Sequence, residues 1–416
     1  MHGGISQHMV TTVHLVSLAA RNLRRQLRRT SLALLMVSGG VIAMLLTEGF
    51  VEWMFFALRD SVIHSQLGHI QITREGSFSD GRGDPFAHLL PARIDDSARE
   101  HAGAIVVSTP RLAFSGMVST GESSVSFLGE GIDPVREVKI TKGLPIVSGR
   151  NLERADERST VLGQGLAAAI GAQIGDHVVL LARTAAGNTN AVELEVVGLF
   201  AAMMKSYDEN VLRIPIDVAR TLVKVEGATS WVLLLNSDDA SAAETARLRQ
   251  TLSERDYEIT PWFTLADYYN KTVNLFSRQL LVIRILIALI VILTILNTLT
   301  MTIRERTSEI GTMLALGVRR RDVLLQFLTE GALLGCAGGL LGILLGWVLA
   351  VAISAVGIPM PPAPGMTSGY VGEIRITSSM LVHALLGGVF ITVLACIPPA
   401  TSASKMAIVD ALRHSR

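Results

Sequence analysis

The sequence predicts an α-helical membrane protein with four transmembrane helices plus a large α+β extracytoplasmic domain inserted between the first and second. Three observations predict it. Apolar residues make up 49% of the 416, yet they concentrate in four blocks, residues 31–56, 280–303, 331–356 and 381–399. Each block reaches about 20 residues, the length that crosses a hydrocarbon core of ~30 Å at ~1.5 Å per residue. Positive charge gathers at matching ends of the blocks. Arg21, Arg24, Arg25, Arg28 and Arg29 precede the first, Arg304, Arg306, Arg319, Arg320 and Arg321 lie between the second and third, and Lys405 and Arg413 follow the fourth. The positive-inside rule puts all three groups, and both termini, in the cytoplasm. Third, about 220 residues of mixed strand and helix periodicity separate the first two blocks, ample for an independent core.

In order, residues 1–30 are expected to form a cytoplasmic N-terminal amphipathic helix and 31–57 the first span. A retained anchor is expected there rather than a cleaved signal, because the block is long, begins some 30 residues in, and no small-residue cleavage site follows it. Residues 58–278 are expected to form the outer domain, 279–303 the second span, 304–330 a short charged cytoplasmic helix and the start of the third span, and 331–356 that span. A short outer loop at 357–377 carries Pro359, Pro361, Pro362 and Pro364, and the fourth span, 378–400, leads to a cytoplasmic tail, 401–416. Within the outer domain, alternating or β-branched runs at 69–73, 104–108, 124–128, 192–197 and 230–235 read as strands. Segments 164–170, 217–223 and 239–255 read as helices, the last with an N-cap at Ser237 or Asp238. The Gly- and Asp-rich stretch 76–85 reads as a loop.

Composition excludes several functions. A net charge of +1 offers no basic field for nucleic acid. The two cysteines, Cys336 and Cys396, both fall in apolar blocks and read as small buried hydrophobes. There is no His-Glu-x-x-His, Cys-x-x-Cys or Gly-x-Ser-x-Gly. His64, His69, His88, His101 and His177 are scattered, as for surface or strand-end histidines, and no pair of carboxylates stands out. No catalytic residue and no metal site is therefore expected.

Two features of the spans invite a functional reading. Gly331, Gly335 and Gly339 recur at four-residue spacing, as do Gly338, Gly342 and Gly346, a pattern that lets another helix approach closely within or between subunits. Glu48 and Glu52 lie one helical turn apart near the outer end of the first span, beside Trp53, with Arg284 near the outer end of the second. Charges at membrane depth face a cavity, a partner or the interface. These four residues either snorkel to the outer surface or line a way in for an amphiphilic substrate.

Several motifs together resemble the permease subunits of mechanotransmitting (type VII) ABC transporters, the MacB, FtsX and LolC/LolE superfamily. They are Ala20-Arg21-Asn22-Leu23-Arg24-Arg25; Val161-Leu162-Gly163-Gln164-Gly165-Leu166-Ala167 with Ile174-Gly175-Asp176; residues 304–317 continuing through Arg319-Arg320-Arg321 to Glu330-Gly331; and Pro398-Pro399-Ala400 with residues 408–413. Gly68-His69-Ile70-Gln71-Ile72, Tyr207-Asp208 and Trp262 look closest to the lipoprotein-releasing LolC/LolE branch. The resemblance implies a MacB-like periplasmic domain, a bacterial inner-membrane location, and a coupling helix that docks on an ATPase. Carried over by position, that helix uses Arg304, Glu305, Arg306, Glu309, Ile310, Gly311, Leu314, Gly317, Arg319 and Arg320, with Ile310, Met313 and Leu314 as its apolar face and Gly317 as its stop. On its residues alone the same helix could equally lie on the lipid surface.

MacB-type subunits carry a nucleotide-binding domain before the first span, whereas here only some 30 residues precede it. No Gly-x-x-x-x-Gly-Lys-[Ser/Thr] loop occurs, nor any Gly-Lys dipeptide. The chain is therefore expected to be a permease subunit, not an enzyme, with no cofactor of its own. ATP and Mg would be bound by two copies of a separate ABC ATPase. A second permease, identical or paralogous, a periplasmic carrier or adaptor, and membrane lipids are the other implied partners. Lipoproteins or lipid-like amphiphiles are the expected cargo. The rivals are a MacB-like drug or peptide efflux permease and an FtsX-like non-transporting regulator of a periplasmic partner.

Overall fold

The computed structural model describes residues 21, 27–77, 86–92, 104–121, 123–252, 256–362, 366–367 and 369–406. Arg24, Arg25, most of the loop expected at 76–85, and the tail motif at 408–413 lie outside them. The chain divides into two compact units, one holding the apolar helices and one formed by residues 55–273 with 359–370.

In the first unit, Leu27–Val62, Asp267–Glu305, Arg320–Val356 and Ser378–Ser404 are all long and apolar enough to cross a membrane. They exceed the apolar blocks read from sequence because a helix does not stop where hydrophobicity stops. The polar flanks keep the i→i−4 ladder going. Leu27–Val62 and Asp267–Glu305 also run on past this unit's boundaries at 54 and 274. The glycines of Arg320–Val356 lie on two faces. A Cβ at Gly331 would meet Cys396 Sγ, one at Gly335 would meet Thr392 Oγ1, and one at Gly339 would sit 2.9 Å from Leu385 Cδ1. That face rests on the last helix. Gly338 and Gly342 would each place a Cβ 2.7 Å from a valine of the first helix, Val37 and Val41, and Gly346 one 3.2 Å from Leu45. The third helix thus packs on two neighbours of its own chain at once, through small residues that let backbones approach. Buried Cys396 belongs to this packing.

The inserted unit is built on ten strands, counted among the described residues: β1 (Ile70–Arg74), β2 (Ile105–Ser119), β3 (Ser124–Ile132), β4 (Ile146–Gly149), β5 (Ser159–Gly163), β6 (His177–Arg183), β7 (Thr189–Phe200), β8 (Val211–Pro215), β9 (Ser230–Leu235) and β10 (Tyr257–Pro261). They run β10-β1-β9-β2-β3-β8-β5-β7-β4, with β6 bridging β2 and β7 off that path. Helices α1 (Pro134–Ile140), α2 (Gln164–Ile170), α3 (Ile216–Val223) and α4 (Ala240–Thr251) pack on it. All five strands read from sequence are present, with β2, β3 and β7 longer than their alternating runs. β2 is long because it changes partner: residues 105–111 pair with β9, and 111–119 pair with β3. That switch separates two cores. One collects Leu112, Phe114, Leu162, Leu180 and Leu212 under α2 and α3, and the other collects Ile70, Ile72, Trp231, Leu233 and Leu248 under α4.

One expectation is corrected here. The N-cap expected for α4 falls on Asp239 and makes no side-chain cap bond; the Asp238 carboxylate is engaged elsewhere, with Arg59 and His69. Part of the segment expected as a short outer loop, 357–377, is tied to the inserted unit. Thr367 N–H donates to Met203 O at 3.2 Å and Met366 bridges to Met204, joining residues 359–370 to the inserted unit.

Candidate coupling site and the buried charge clamp

The segment between the second and third long helices is a short helix, Thr307–Ala315, set off by Arg306 at φ −98°, ψ 13°. Arg306 is the pivot. It donates to Glu309 Oε2 at 3.1 Å and to Glu330 Oε1 at 3.4 Å, and its guanidinium lies 5.9 Å from the Phe327 ring centroid. Glu330 is buried, so this cation provides compensating charge that a buried carboxylate requires. At the other end Gly317 adopts φ +90°. Its N–H donates to Leu314 O and that of Val318 to Met313 O, the two bonds of a Schellman stop.

Burial divides the residues expected at the docking face. Ile310, Gly311 and Leu314 are buried, Ile310 and Leu314 packing with Ile303, Val323, Phe327, Ala400 and Ala403. They hold the short helix to its own chain and are not its outer surface. The reason is that an amphipathic helix joining two packed spans turns its apolar stripe toward those spans first. The outward residues are Arg304, Glu305, Glu309, Gly317, Arg319 and Arg320, joined by Leu316, which is 81% exposed. Leu316 was not among the residues expected from sequence; its position just before a stop glycine was the available signal.

At the far end of these helices Glu48 is buried and takes an ion pair from half-exposed Arg284. The pair accounts for both charges without a ligand. Trp53 stacks on Phe50 at 6.5 Å between centroids, and Glu52 is half-buried.

The inserted unit holds a second charged arrangement that sequence reasoning missed. Arg111 (β2), Glu130 (β3), Glu137 (α1), Tyr207 and Arg213 (β8) meet in its interior. Arg213 Nε donates to Glu130 Oε2 at 2.9 Å, and its Nη2 donates to Tyr207 Oη at 2.9 Å, whose own hydroxyl donates to Glu130 at 2.7 Å. Arg111 bonds Glu137. Each arginine also donates to a backbone carbonyl of the π-helical turn Ile63–Leu67 that ends the first long helix, Arg213 to Ser65 O at 3.0 Å and Arg111 to Gln66 O. Helix C-terminal carbonyls lack intrahelical partners and carry the negative end of the dipole, so two guanidiniums are the matching cap. Burial works to raise the Glu130 carboxyl, but Arg213 and Arg111 outweigh it and hold it below the usual range. Burial pushes the Tyr207 phenol up, keeping it a neutral donor. Two cations and two anions thus cancel in a site where either sign alone would be costly.

Beside it, Asp238 accepts from His69 Nε2 at 3.0 Å and pairs with Arg59 at 3.1 Å, while Leu235 N–H donates to His69 Nδ1 at 3.2 Å. His69 is therefore neutral, with its proton on Nε2. Burial lowers its pKa despite the Asp238 bond, and a second proton would displace the Leu235 donor. The unfolded histidine titrates near ~6.5. A group depressed on folding contributes stability that is complete above that pH and lost as pH falls toward the folded pKa. Urea midpoints of the full chain should fall more steeply between about pH 7.5 and about pH 5 than those of His69→Gln, whose side chain does not titrate. Parallel slopes for the two proteins would exclude this role.

Four membrane-length helices with an α/β domain inserted between the first and second define a multi-span membrane subunit. The MacB-like periplasmic core domain model matches residues 30–251 and the FtsX-like permease C-terminal model matches 281–408. The chain belongs to this family of ABC transporter permeases. It is 23% identical over 411 residues to an uncharacterised ABC transporter permease of Methanocaldococcus jannaschii, spanning 96% of this chain and 97% of that one. It is 30% identical over 249 residues to the pyoverdine export ATP-binding/permease protein of Pseudomonas fluorescens, covering 55% of this chain but 37% of that protein. Among solved structures, the periplasmic region of MacB from Actinobacillus actinomycetemcomitans matches 52% of this chain and 95% of its own, at 18% identity and a TM-score of 0.36.

Proposed function

We propose that this chain is the permease subunit of an ABC transporter in a bacterial inner membrane, with both termini in the cytoplasm. ATP hydrolysis by a separate ATPase would be converted into motion of the periplasmic domain, and the cargo is a lipoprotein or lipid-like amphiphile. One observation carries the reading. The Thr307–Ala315 helix has its inner face locked into the chain's own spans by Ile310 and Leu314, while Leu316 and three arginines project outward from the following turn. A push on that turn would be passed to the spans through the side chains on which Ile310 and Leu314 pack. The charge clamp supports the next link. It holds the turn Ile63–Leu67 to β2 and β8 of the same unit, so that turn and the sheet move as one.

A second reading has an observation in its favour: relatives named for pyoverdine export match about half of the chain. Export of a small molecule through an adaptor would use the same coupling. Purification with the cognate ATPase, reconstitution in lipid nanodiscs and assay of ATP hydrolysis separate the two. Acylated lipoprotein should stimulate hydrolysis and co-purify with the complex. Stimulation only by soluble small molecules would overturn the amphiphile reading in favour of export.

A further inference from the structure

We infer that the inserted domain carries a binding groove for an amphiphile with an anionic head, between the start of β2 and α1. It deepens the cargo reading above and rests on it. β3 covers one edge of β2 only from Arg111 onward. Along residues 105–110 no strand pairs with that edge among the described residues, and α1 lies alongside instead. The space left is an open groove of about 410 Å³, within the ~300–1,000 Å³ of small-ligand sites.

Three properties of the groove point to one ligand chemistry. Its apolar wall is turned outward against the usual rule. The register of β2 slips between Ile105 and Val107, so Val106 is bulged out and 55% exposed, and across from it Val135 is 56% exposed. Its cations are uncommitted or weakly held. Lys139 has no ion pair among the described residues, and Arg136 reaches Asp133 and Ser108 O only at 3.4 Å each. Finally, Ser108, 6% exposed, lines the groove with a hydroxyl that makes no hydrogen bond among the described residues. Buried hydroxyls are ordinarily satisfied, so this one is an unused donor beneath the groove wall. A carboxylate or phosphate on Lys139 and Arg136, with an alkyl chain along Val106 and Val135, matches the exposed groups together, and the Ser108 hydroxyl lies behind them as a donor that a side-chain turn would bring into reach. Asp133, already paired with Arg136, lies at one end of α1 and would repel a head placed there, setting the polarity of binding toward Lys139.

The probe is dodecyl phosphate bearing a chain diazirine, photolysed with the full-length protein in nanodiscs without ATP, and the labelled peptides are mapped by mass spectrometry. Label should appear on residues 105–108 and 135–139. Unlabelled dodecyl phosphate should compete, and equal concentrations of inorganic phosphate or dodecyl maltoside should not. Lys139→Glu and Val135→Trp, both at exposed positions, should each cut the label about fivefold, equivalent to ~1 kcal/mol at ~1.4 kcal/mol per tenfold. Full competition by phosphate would reduce the site to an anion site, and full competition by the maltoside to an apolar patch; either overturns the proposal. So would labelling confined to the spans or unchanged in both variants. The readout needs no ATPase, so labelling without lipoprotein-stimulated hydrolysis would sink the cargo reading and leave the groove standing.

Discussion

Arg213→Met should destabilise the inserted domain by about 3–5 kcal/mol, the range for removing one partner of a buried ion pair. Both the sign and the size follow from what is left behind. Without Arg213, Glu130 keeps only Tyr207 as a close donor, Ser65 O loses its cap, and one arginine faces two carboxylates, Glu137 buried and Glu130 mostly so. Methionine fills the space of the side chain, so the loss is electrostatic rather than a cavity. A double replacement, Arg213→Met with Glu130→Gln, should recover part of the loss because the orphaned charge is gone. The contrast is Arg150, which holds Asp156 through two bonds of 2.7 and 2.8 Å but is half-exposed. Arg150→Ala should cost only ~0.2–1 kcal/mol, as exposed pairs do. Urea unfolding of the full-length protein, followed by tryptophan fluorescence, measures all three. A loss of less than about 1 kcal/mol for Arg213→Met would mean the clamp is solvated and does not bind the helix end.

The architecture was legible because a bilayer imposes a length and a composition that no local propensity overrides. Four blocks of ~20 apolar residues have one interpretation, and arginine placement orders them. Strand existence was legible where one face is solvated, as in β3 and β7, but β5 and β8 are buried along their whole length and show no period. The clamp was illegible for a different reason. Arg111, Glu130, Glu137 and Arg213 are spread over a hundred residues of sequence, and only the β2–β3–β8 register brings them together. A signal was present all the same: Val-Leu-Arg-Ile-Pro and Leu-Gly-Glu-Gly-Ile each set one charge inside an apolar strand, where a charge needs a partner. The glycine pattern of the third span predicted close approach, but not that its two registers serve two different neighbours. At the coupling segment, periodicity located the apolar face of the helix and could not say which partner it meets.

That last point makes Leu316→Asp the sharper of the two tests. Leu316 projects from the turn closed by Gly317, flanked by exposed Arg319, Arg320 and Arg321 and, one helix face back, Glu309. It touches no core cluster, so replacing it leaves the spans packed. If this exposed apolar side chain anchors the proposed ATPase contact, its removal should cost about 2 kcal/mol or more, some 30-fold in affinity. Leu316→Asp combined with Glu309→Lys should therefore weaken association with the cognate ATPase at least tenfold and abolish stimulated hydrolysis, while membrane insertion and thermal stability stay at the level of the unaltered protein. Ile310→Asp should do the reverse, breaking the packing against Phe327 and Ala400 so that stability falls first. Gly317→Val tests the geometry between them, because a β-branched residue resists φ +90° and must re-aim the turn. If the Leu316→Asp, Glu309→Lys protein still binds and stimulates its ATPase, the push enters elsewhere, and the arginines of residues 21–29 become the next surface to reverse in charge.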